Sequence, residues 1–495
     1  MIEKIKNLIK HSAIYSLSNI TIKAAGIILI PLYTINFTQR EFGIWDLIDV
    51  SIAIVFSIMV LGQSNSIMMF NNSKEYKGKE KQSFFTITAF LSLLSLILIG
   101  ISELIYHFKL FFTGSNEIYL TYIRISSFVV FLRVINSAFL SKLRADEKSA
   151  AFGASNLFRL IVNVVFIIYF VSFKKLGVLG VIYGYLISEA ALFIILIIPM
   201  LKQMTFRFSF PILKIALAFG MPLVLSGLGF QILNLSDRYL IKIILTENSL
   251  AVYGLSYRIA GLLNMMLVLP INLILLPIAF KYYQQPGDKR FFSKLMTYST
   301  FMSVWLAIGI SLFGKEIITI LAPKPEYQSA LLLIPIILFG YVLSGMRMVG
   351  SLGLYLTKNT KKIAILTIIA AVINIILNVI FIPRYGIYAA AVNTFISFFV
   401  FYLLTQSYSG KFYKIPFENI KLTKVFLLGL IFSFIPLIFL KEISVINVIF
   451  KFLLLIIFPV LLYFWKFYES IELEYIKKIK NLDSVKKALS EIIKK

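Results

Sequence analysis

Eight basic side chains lie inside apolar stretches that are long enough to cross a membrane. A cation in the middle of such a helix costs about 2.5–3.5 kcal/mol on insertion scales. A chain that keeps several of them usually has a wet interior or an anionic ligand that receives the charge. The pattern therefore predicts a cationic cavity and an acidic ligand. The eight residues are Lys23, Arg124, Arg133, Arg159, Arg238, Arg258, Arg347 and Lys451.

The first apolar stretch carries a polar stripe. Ser12, Ser16, Asn19, Lys23 and Gly26 follow one another at helical spacing and share one face of the predicted helix. Lys23 lies about 16 Å into that helix at a rise of 1.5 Å per residue, too deep to reach the near surface easily. We interpret Asn19 and Lys23 as lining the cavity, with Lys23 on a phosphate. The alternative is a buried ion pair with one of the acids on the next stretch.

Arg258 has the surroundings of an anion-binding residue. Gly254 and Gly261 lie on its face of the predicted helix and leave room for the guanidinium. The planar guanidinium can donate two parallel hydrogen bonds to a phosphate. We therefore predict that Arg258 contacts the ligand.

Three further arginines are candidate cavity residues. Arg124 and Arg133 are nine residues apart, which places them on opposite faces of one helix, so we expect only one of the two to face the cavity. Arg159 has an asparagine about one turn away on either side and is predicted to face water or other helices.

The acids inside the apolar stretches are fewer. Asp46 and Asp49 lie one turn apart and are the candidates for exchanging a proton or Na⁺, with the alternative that they neutralise nearby cations. Asp237 and Arg238 are adjacent, and we interpret them as a structural feature of a packed helix end. Glu189 has the same two alternatives as Asp46 and Asp49.

The elements that carry these residues are membrane-spanning helices. The chain has 495 residues, 59% of them hydrophobic, and its mean hydropathy is +0.89. Apolar runs of about 20 residues, the length that crosses a bilayer, recur from end to end. The sequence predicts an all-α membrane protein with fourteen spans, at 12–36, 42–70, 83–107, 118–140, 150–173, 177–201, 213–238, 249–280, 296–321, 328–353, 362–383, 386–408, 422–440 and 444–466.

The distribution of charge sets the predicted orientation. The net charge is +26, and the Lys and Arg residues concentrate in alternate loops such as 74–81 and 281–294. This is the positive-inside pattern, and it predicts that both termini lie in the cytoplasm. The dense use of Lys, Ile, Asn and Phe indicates an AT-rich bacterial genome, so the expected location is a bacterial cytoplasmic membrane. The excess charge suits anionic lipid headgroups, and no module or aromatic interleaving points to nucleic acid.

The chain contains an internal repeat. FTQREFGIWDL (37–47) matches LTENSLAVYGL (245–255) at an offset of 208, and a second match places Asn163 at the position of Asn378. By the same offset Arg258 falls on Val50, beside Asp49. Parallel repeats of six helices are a common transporter plan. We predict a six-helix lobe at 1–208, a second at 209–410, two added spans at 411–467 and an amphipathic cytoplasmic tail at 468–495.

The chain resembles the polysaccharide biosynthesis proteins, flippases of lipid-linked oligosaccharides in the multidrug/oligosaccharidyl-lipid/polysaccharide exporter superfamily. The resemblance rests on FGMPLVLSGLGFQILNLSDRYLIK (Phe219–Lys242), AVYGLSYRIAGL (Ala251–Leu262), LRADEK (Leu143–Lys148), prolines 270 and 277, and the turns at Gly177 and Gly386. It covers nearly the whole chain. It implies two lobes in a V-shape, alternating access and export of an undecaprenyl-pyrophosphate-linked glycan for O-antigen, capsule or another surface polysaccharide.

Two rival functions are weighed against this one. A drug or cation antiporter of the same fold would need carboxylates to bind cationic drugs, whereas basic residues outnumber acids in the spans. A membrane glycosyltransferase or polymerase would need large outer loops, and the predicted outer loops are short. We expect no cofactor, no metal site and no catalytic residue. The expected partners are the lipid-linked glycan, membrane lipids, a polysaccharide polymerase and a coupling H⁺ or Na⁺.

Overall fold

The structure, a computed structural model, describes residues 26–110, 117–357, 359–439 and 442–469. Helices and their connecting turns make up these residues, and no strand occurs among them. The polar stripe Ser12, Ser16, Asn19 and Lys23 lies outside the described residues, as does the tail beyond residue 469. The first half of the chain, as far as residue 201, contains α1 (Ile30–Asn36), α2 (Gln39–Val60), α3 (Gln63–Asn72), α4 (Glu80–His107), α5 (Ile118–Ala145), α6 (Ser149–Ile168) and α7 (Gly177–Leu201).

The second half, residues 210–412, is also built from helices, several of them interrupted. A π-helical turn at Asn264–Val268 joins α9 to α10 and is followed at once by Pro270. The helices are α8 (Phe210–Ile244), α9 (Glu247–Leu263), α10 (Leu269–Tyr282), α11 (Asp288–Leu312), α12 (Gly314–Leu321), α13 (Ala330–Gly350), α14 (Leu352–Leu356) and α15 (Thr360–Phe412). Two more, α16 (Asn419–Phe439) and α17 (Val445–Phe464), follow it.

These helices make the chain a multi-pass membrane protein. Ten of the described helical segments have the length and composition to cross a bilayer. The longest, α15, has 53 residues and is interrupted at Gly386, whose φ of 63° and ψ of −147° lie outside the helical region. Such a backbone is available to glycine because it has no Cβ. The fourteen-span topology stays a prediction.

The two copies of the repeated sequence segment begin their helices in the same way. Thr38 caps α2 by accepting a hydrogen bond from the backbone N–H of Glu41, whose carboxylate accepts from the N–H of Thr38 in return. Thr246 caps α9 by accepting from the N–H of Ser249. A threonine is favoured there because its hydroxyl satisfies an N–H that the first turn leaves unpaired. The repeat therefore reproduces a local folding signal as well as a hydrophobic pattern.

Glycines bring the repeated helices α2 and α9 into close contact. A Cβ on Gly43 would lie 2.0 Å from the carbonyl oxygen of Glu247, and a Cβ on Gly254 would lie 2.6 Å from the carboxylate of Asp46. Neither position accepts a larger residue without a shift of the helices. The seam between the two halves of the chain therefore passes directly beside Asp46, at the predicted outer side of the membrane.

Candidate functional site

A cavity of about 550 Å³ lies among the helices of the first half. Residues of α1, α2, α5, α6 and α7 form most of its wall, and α9 of the second half contributes Arg258. Four arginines and two carboxylates line it, which gives an excess of two positive charges. These six residues are Arg133, Arg144, Arg159, Arg258, Asp49 and Glu189.

Glu189 holds two of the arginines in place. Its Oε1 accepts from Nε of Arg133 at 3.0 Å and from Nη1 of Arg159 at 3.3 Å, while Asn136 donates to its Oε2 at 2.9 Å. Glu189 is 2% exposed, whereas the side chains of Arg133 and Arg159 are 24% and 21% exposed. Each guanidinium has five N–H donors, so both can bind a further oxygen from the cavity. Glu189 therefore acts as a counter-ion, one of its two predicted alternatives.

Arg144 is a cavity residue that the sequence analysis did not select. It donates from Nη2 to Ser141 Oγ at 3.0 Å, and its guanidinium lies 5.6 Å from the ring centre of Phe152. It follows Arg133 by eleven residues, about three helical turns, which places both on the same face of α5. That spacing is the signal that could have identified it. The two arginines extend the cationic wall along about 16 Å of helix.

Arg124 does not line this cavity. It donates from Nε to Glu103 Oε1 at 2.8 Å, its side chain is 43% exposed, and it lies 4.6 Å from the ring centre of Tyr106. The nine-residue separation from Arg133 had predicted that only one of the pair would face the cavity. Arg133 is the one that does.

Asp46 is the counter-ion of two arginines from the second half. Its Oδ2 accepts from Nε of Arg238 at 2.8 Å, and its Oδ1 accepts from Nη2 of Arg258 at 2.8 Å. Asp46 is 1% exposed and Arg238 is 5% exposed, so this charge cluster is shielded from solvent. These bonds cross from the first half of the chain to the second. They join the two halves on the side that the charge pattern predicts to face outwards.

Arg258 belongs both to this junction and to the cavity. Its Nη2 also donates to Asp49 Oδ2 at 3.0 Å, and its guanidinium stacks 4.0 Å from the ring centre of Trp45. The Asp49 side chain is 33% exposed and accepts from the hydroxyl of Tyr185 at 3.2 Å. The repeat had predicted neighbouring positions for Arg258 and Asp49, and the structure places them in direct contact.

Asp237 lies in a different kind of environment. It is fully buried and accepts hydrogen bonds from the hydroxyls of Tyr253 and Thr394 and from the amide of Asn378, the last two at 2.6 and 2.7 Å. Asn393 in turn donates to Asn378 at 3.0 Å. No Lys or Arg of the described residues lies within ion-pair distance of Asp237. Although Asp237 and Arg238 are adjacent, they therefore serve separate networks.

Every hydrogen bond that the described residues make with the Asp237 carboxylate is one that it accepts, from two hydroxyls and one amide N–H. The described residues contain no group of three or more His, Cys, Asp or Glu side chains close enough to hold a metal ion.

The remaining cations inside the predicted spans have structural surroundings. Lys451 on α17 is fully buried and donates to both oxygens of Glu316 on α12, at 2.6 and 2.8 Å. Arg347 lies 4.7 Å from the ring centre of Phe401 and 5.7 Å from that of Phe230. Neither lines the cavity. Lys23 and Asn19 remain predictions because they precede the first described residue.

Comparison with solved structures identifies the fold. The fold matches that of the lipid II flippase MurJ in an inward closed conformation, with a TM-score of 0.73 over 91% of this chain and 98% of that one, at 18% identity. It also matches an inward-facing multidrug resistance MATE family transporter of the MOP superfamily, with a TM-score of 0.62 over 82% of this chain and 95% of that one, again at 18% identity. The fold is therefore that of MOP superfamily membrane proteins.

The family follows from the sequence itself. A family model described as polysaccharide biosynthesis protein matches residues 37–324, more than half of the chain. The chain belongs to that family, as its resemblance to these proteins had indicated.

Two curated relatives are archaeal. An uncharacterised membrane protein of Methanocaldococcus jannaschii is 27% identical over 54% of this chain and 51% of its own length. A probable low-salt glycan biosynthesis flippase of Haloferax volcanii is 25% identical over 43% of this chain and 46% of its own length. The chain spans about half the length of these curated relatives.

Proposed function

We propose that this protein is a flippase that carries a lipid-linked oligosaccharide across the membrane by alternating access. The observation that carries the proposal is the arginine-lined cavity of about 550 Å³ inside a membrane-spanning helix bundle. Family membership and the relative described as a probable glycan flippase support the same reading. The more specific cargo that we propose is a glycan on undecaprenyl pyrophosphate, for O-antigen, capsule or another surface polysaccharide.

The arginines provide the interaction that such a cargo needs. A diphosphate is strongly disfavoured in hydrocarbon, and a guanidinium replaces its lost water with two directed hydrogen bonds. Arg133 and Arg159 share one carboxylate, so each retains donors for a phosphate oxygen. The sugars would occupy the wet volume of the cavity while the prenyl chain remains in lipid.

The junction at Asp46 gives the cycle a physical link between cargo and conformation. Separation of the two halves at the predicted outer side requires Arg238 and Arg258 to leave Asp46. A phosphate that reaches Arg258 competes with Asp46 and Asp49 for the same donors. Cargo binding would therefore weaken the contacts that hold the outer side closed.

We propose Asp237 as the residue that couples transport to a gradient of H⁺ or Na⁺. The sequence left Asp46 and Asp49 as candidates either for this role or for neutralising nearby cations, and in the structure both form ion pairs with arginines. Asp237 accepts three hydrogen bonds and forms no ion pair with the described residues, and an exchangeable H⁺ or Na⁺ would balance its charge.

The rival functions receive less support from the cavity. A cationic drug would meet four arginines and two already paired carboxylates. We also propose transport rather than glycan polymerisation, because the acids that line the cavity serve as counter-ions and none remains as a catalytic acid or base. A polysaccharide polymerase is proposed as a separate partner.

The test compares matched arginines in vesicles that contain undecaprenyl-pyrophosphate-linked glycan. Arg133→Gln combined with Arg159→Gln should lower flipping at least tenfold. Arg124→Gln is the control, because it changes the same helix but removes an arginine that is paired outside the cavity. Normal flipping by the double variant would overturn the arginine site. If the same glycan is flipped equally well when it is linked to another prenyl phosphate, the proposal of undecaprenyl pyrophosphate as the carrier is wrong.

The localisation is tested separately. Reporter fusions are expected to place both termini and the 76–82 loop in the cytoplasm of a bacterial cell. An outer position for Lys495 would contradict the fourteen-span topology, since the number of spans would then be odd.

A further inference from the structure

A second large space lies on the other side of α2 from the cavity. It has a volume of about 450 Å³ and is enclosed by α2, α4 and α5 of the first half and by Tyr239 and Lys242 of α8. It shares no lining residue with the arginine-lined cavity. We propose that this crevice binds one acyl chain of an anionic phospholipid, with the phosphate of the headgroup at its polar mouth.

The walls of the crevice are apolar. Aliphatic side chains from three helices cover them, including Ile48, Ile52, Val55, Ile101, Ile123 and Val130. Two pairs of hydroxyls in the wall satisfy each other and so present little polarity to the interior. Ser102 donates to Ser127 at 2.8 Å, and Ser51 lies 2.8 Å from the hydroxyl of Tyr239. Its volume falls within the range of about 300–1,000 Å³ typical of ligand pockets.

One hydroxyl of the wall is left without a partner. Ser126 Oγ is buried and makes no hydrogen bond with the described residues, although serines on helices commonly bond to a carbonyl of the preceding turn. A buried hydroxyl that makes no hydrogen bond has lost its contacts with water without replacement, which destabilises the protein. A ligand oxygen that accepts from Ser126 would remove this cost, which favours an occupant with ester or phosphate oxygens over a plain hydrocarbon.

Lys242, at the mouth, is the one charged side chain among the residues that line the crevice. It forms an ion pair with Glu247, and Arg40 lies 3.8 Å from the same carboxylate. Tyr119 donates a hydrogen bond to Glu247 at 3.1 Å, and both Tyr119 and Tyr122 line the crevice. Tyrosines are common where a membrane meets water. The gradient from an apolar interior to a cationic, tyrosine-lined mouth matches a phospholipid with a negative headgroup.

The crevice spans both halves of the chain, so its shape depends on their relative position. The hydrogen bond from Ser51 on α2 to Tyr239 on α8 forms part of its wall. A lipid chain between these helices contacts both halves on the side where Asp46 joins them. Binding would stabilise this arrangement, and the anionic lipid content of the membrane would then change the rate of transport.

The experiment measures retained lipid by native mass spectrometry after extraction from vesicles of phosphatidylglycerol or of phosphatidylcholine with equal chains. We expect the natural protein to keep one phosphatidylglycerol and to keep phosphatidylcholine at least fivefold less. Ser126→Phe fills the crevice and should lose the lipid. Ile101→Trp should also fill the crevice and lose the lipid. The side chain of Ile101 is 50% exposed, so the larger residue does not require repacking of the protein interior. The control is Leu93→Trp, a 60% exposed position of the same helix that does not line the crevice.

The headgroup is tested by Arg40→Gln combined with Lys242→Gln, which should keep a bound chain but abolish the preference for phosphatidylglycerol. Retention of phosphatidylglycerol by both crevice-filling variants would overturn the proposal. Equal retention of the two phospholipids by the natural protein would overturn the anionic headgroup. Selective retention of added undecaprenyl phosphate over phosphatidylglycerol would overturn the assignment to a membrane phospholipid. None of these readouts depends on flipping activity.

Discussion

Glu189 in the first half of the chain and Asp237 in the second half are both carboxylates that are almost completely shielded from solvent. Glu189 contacts two arginines and an asparagine, whereas Asp237 contacts two hydroxyls and an amide. The first surroundings fix the negative charge and leave positive donors for an anion. The second surroundings fix the position of a carboxylate without an ion pair to the described residues, which is why we propose Asp237 as the coupling residue.

The internal repeat makes this contrast informative. Asn163 and Asn378 occupy matching positions of the two halves. Asn163 lines the cavity and donates to Ser188 at 3.3 Å, while Asn378 is buried and donates to Asp237. The same asparagine position therefore lines the arginine-containing cavity in one half and belongs to a closed polar network in the other.

The largest expected effect concerns Asp237. Asp237→Asn keeps the shape of the side chain but removes the charge that we propose an ion balances. Flipping in vesicles should become indifferent to an imposed H⁺ or Na⁺ gradient, a loss of the whole gradient-dependent part of the rate. The double change Asp46→Asn with Asp49→Asn should instead reduce protein stability, since it leaves Arg238 and Arg258 without their counter-ions.

This first prediction is contradicted if the Asp237→Asn protein still responds to the gradient as the natural protein does. Asp237 would then not be the coupling residue, and Glu189 and Asp237 would differ only in the groups that they contact.

The second prediction reverses the comparison by removing the charge of Glu189. Glu189→Gln leaves Arg133 and Arg159 close together without a shared carboxylate, and breaking a buried ion pair in this way costs about 3–5 kcal/mol. Thermal unfolding in one detergent should show a clear loss of stability. The control is Glu103→Gln, which removes the 37% exposed partner of Arg124 and should cost less than about 1 kcal/mol. Equal losses in the two variants would show that the cavity is as well solvated as the surface.

The third prediction concerns the seam between the two halves of the chain, where α2 contacts α9. Gly43→Ala places a Cβ within 2.0 Å of a backbone oxygen of α9, so the helices must separate. Forced shifts of this kind cost roughly 1–3 kcal/mol. Gly100→Ala is the matched control on α4, where nothing lies within 4 Å of the added Cβ. Alanine should stabilise that helix by up to about 1 kcal/mol, so the two variants are expected to shift the unfolding temperature in opposite directions.

The smallest expected effect concerns a third carboxylate, Glu418, in the turn before α16. Burial alone would raise its pKa, but hydrogen bonds from Lys294, Lys421 and Thr297 outweigh burial and hold the pKa of Glu418 at about 2. The folded pKa is lower than the value of about 4.3 expected in an unfolded chain. The contribution to stability is therefore complete above about pH 4.3 and is lost as the pH falls towards 2.

We expect this contribution to be about 1 kcal/mol because the cluster is partly exposed. Glu418→Gln should remove it at pH 7 and flatten the fall in stability between pH 4.5 and pH 2 in a denaturant titration. Glu442→Gln, at an exposed side chain that makes no ion pair with the described residues, should leave the profile unchanged. An unchanged profile in the Glu418→Gln protein would show that Lys294 and Lys421 are held by other groups, such as Glu469.

The sequence alone determined the class of the molecule and its local signals. Long apolar runs require helices in a membrane because every backbone N–H and C=O must be paired within the segment. The spacing of residues on a helix is equally local. It predicted that Arg124 and Arg133 face different ways and that Arg258 and Asp49 occupy neighbouring positions.

Only the tertiary structure decided which charges meet. Asp46 contacts Arg238 and Arg258, which lie 192 and 212 residues away along the chain, so helical periodicity has no bearing on the choice. It is set by the rotation of α2 against α8 and α9 and by the close approach that Gly43 and Gly254 allow. For the same reason the sequence could not decide between the two roles of Asp46 and Asp49, and it missed Arg144 and the hydrogen-bond network around Asp237. A side chain's type shows which interactions it can make, but the packing of distant helices determines which partner it finds.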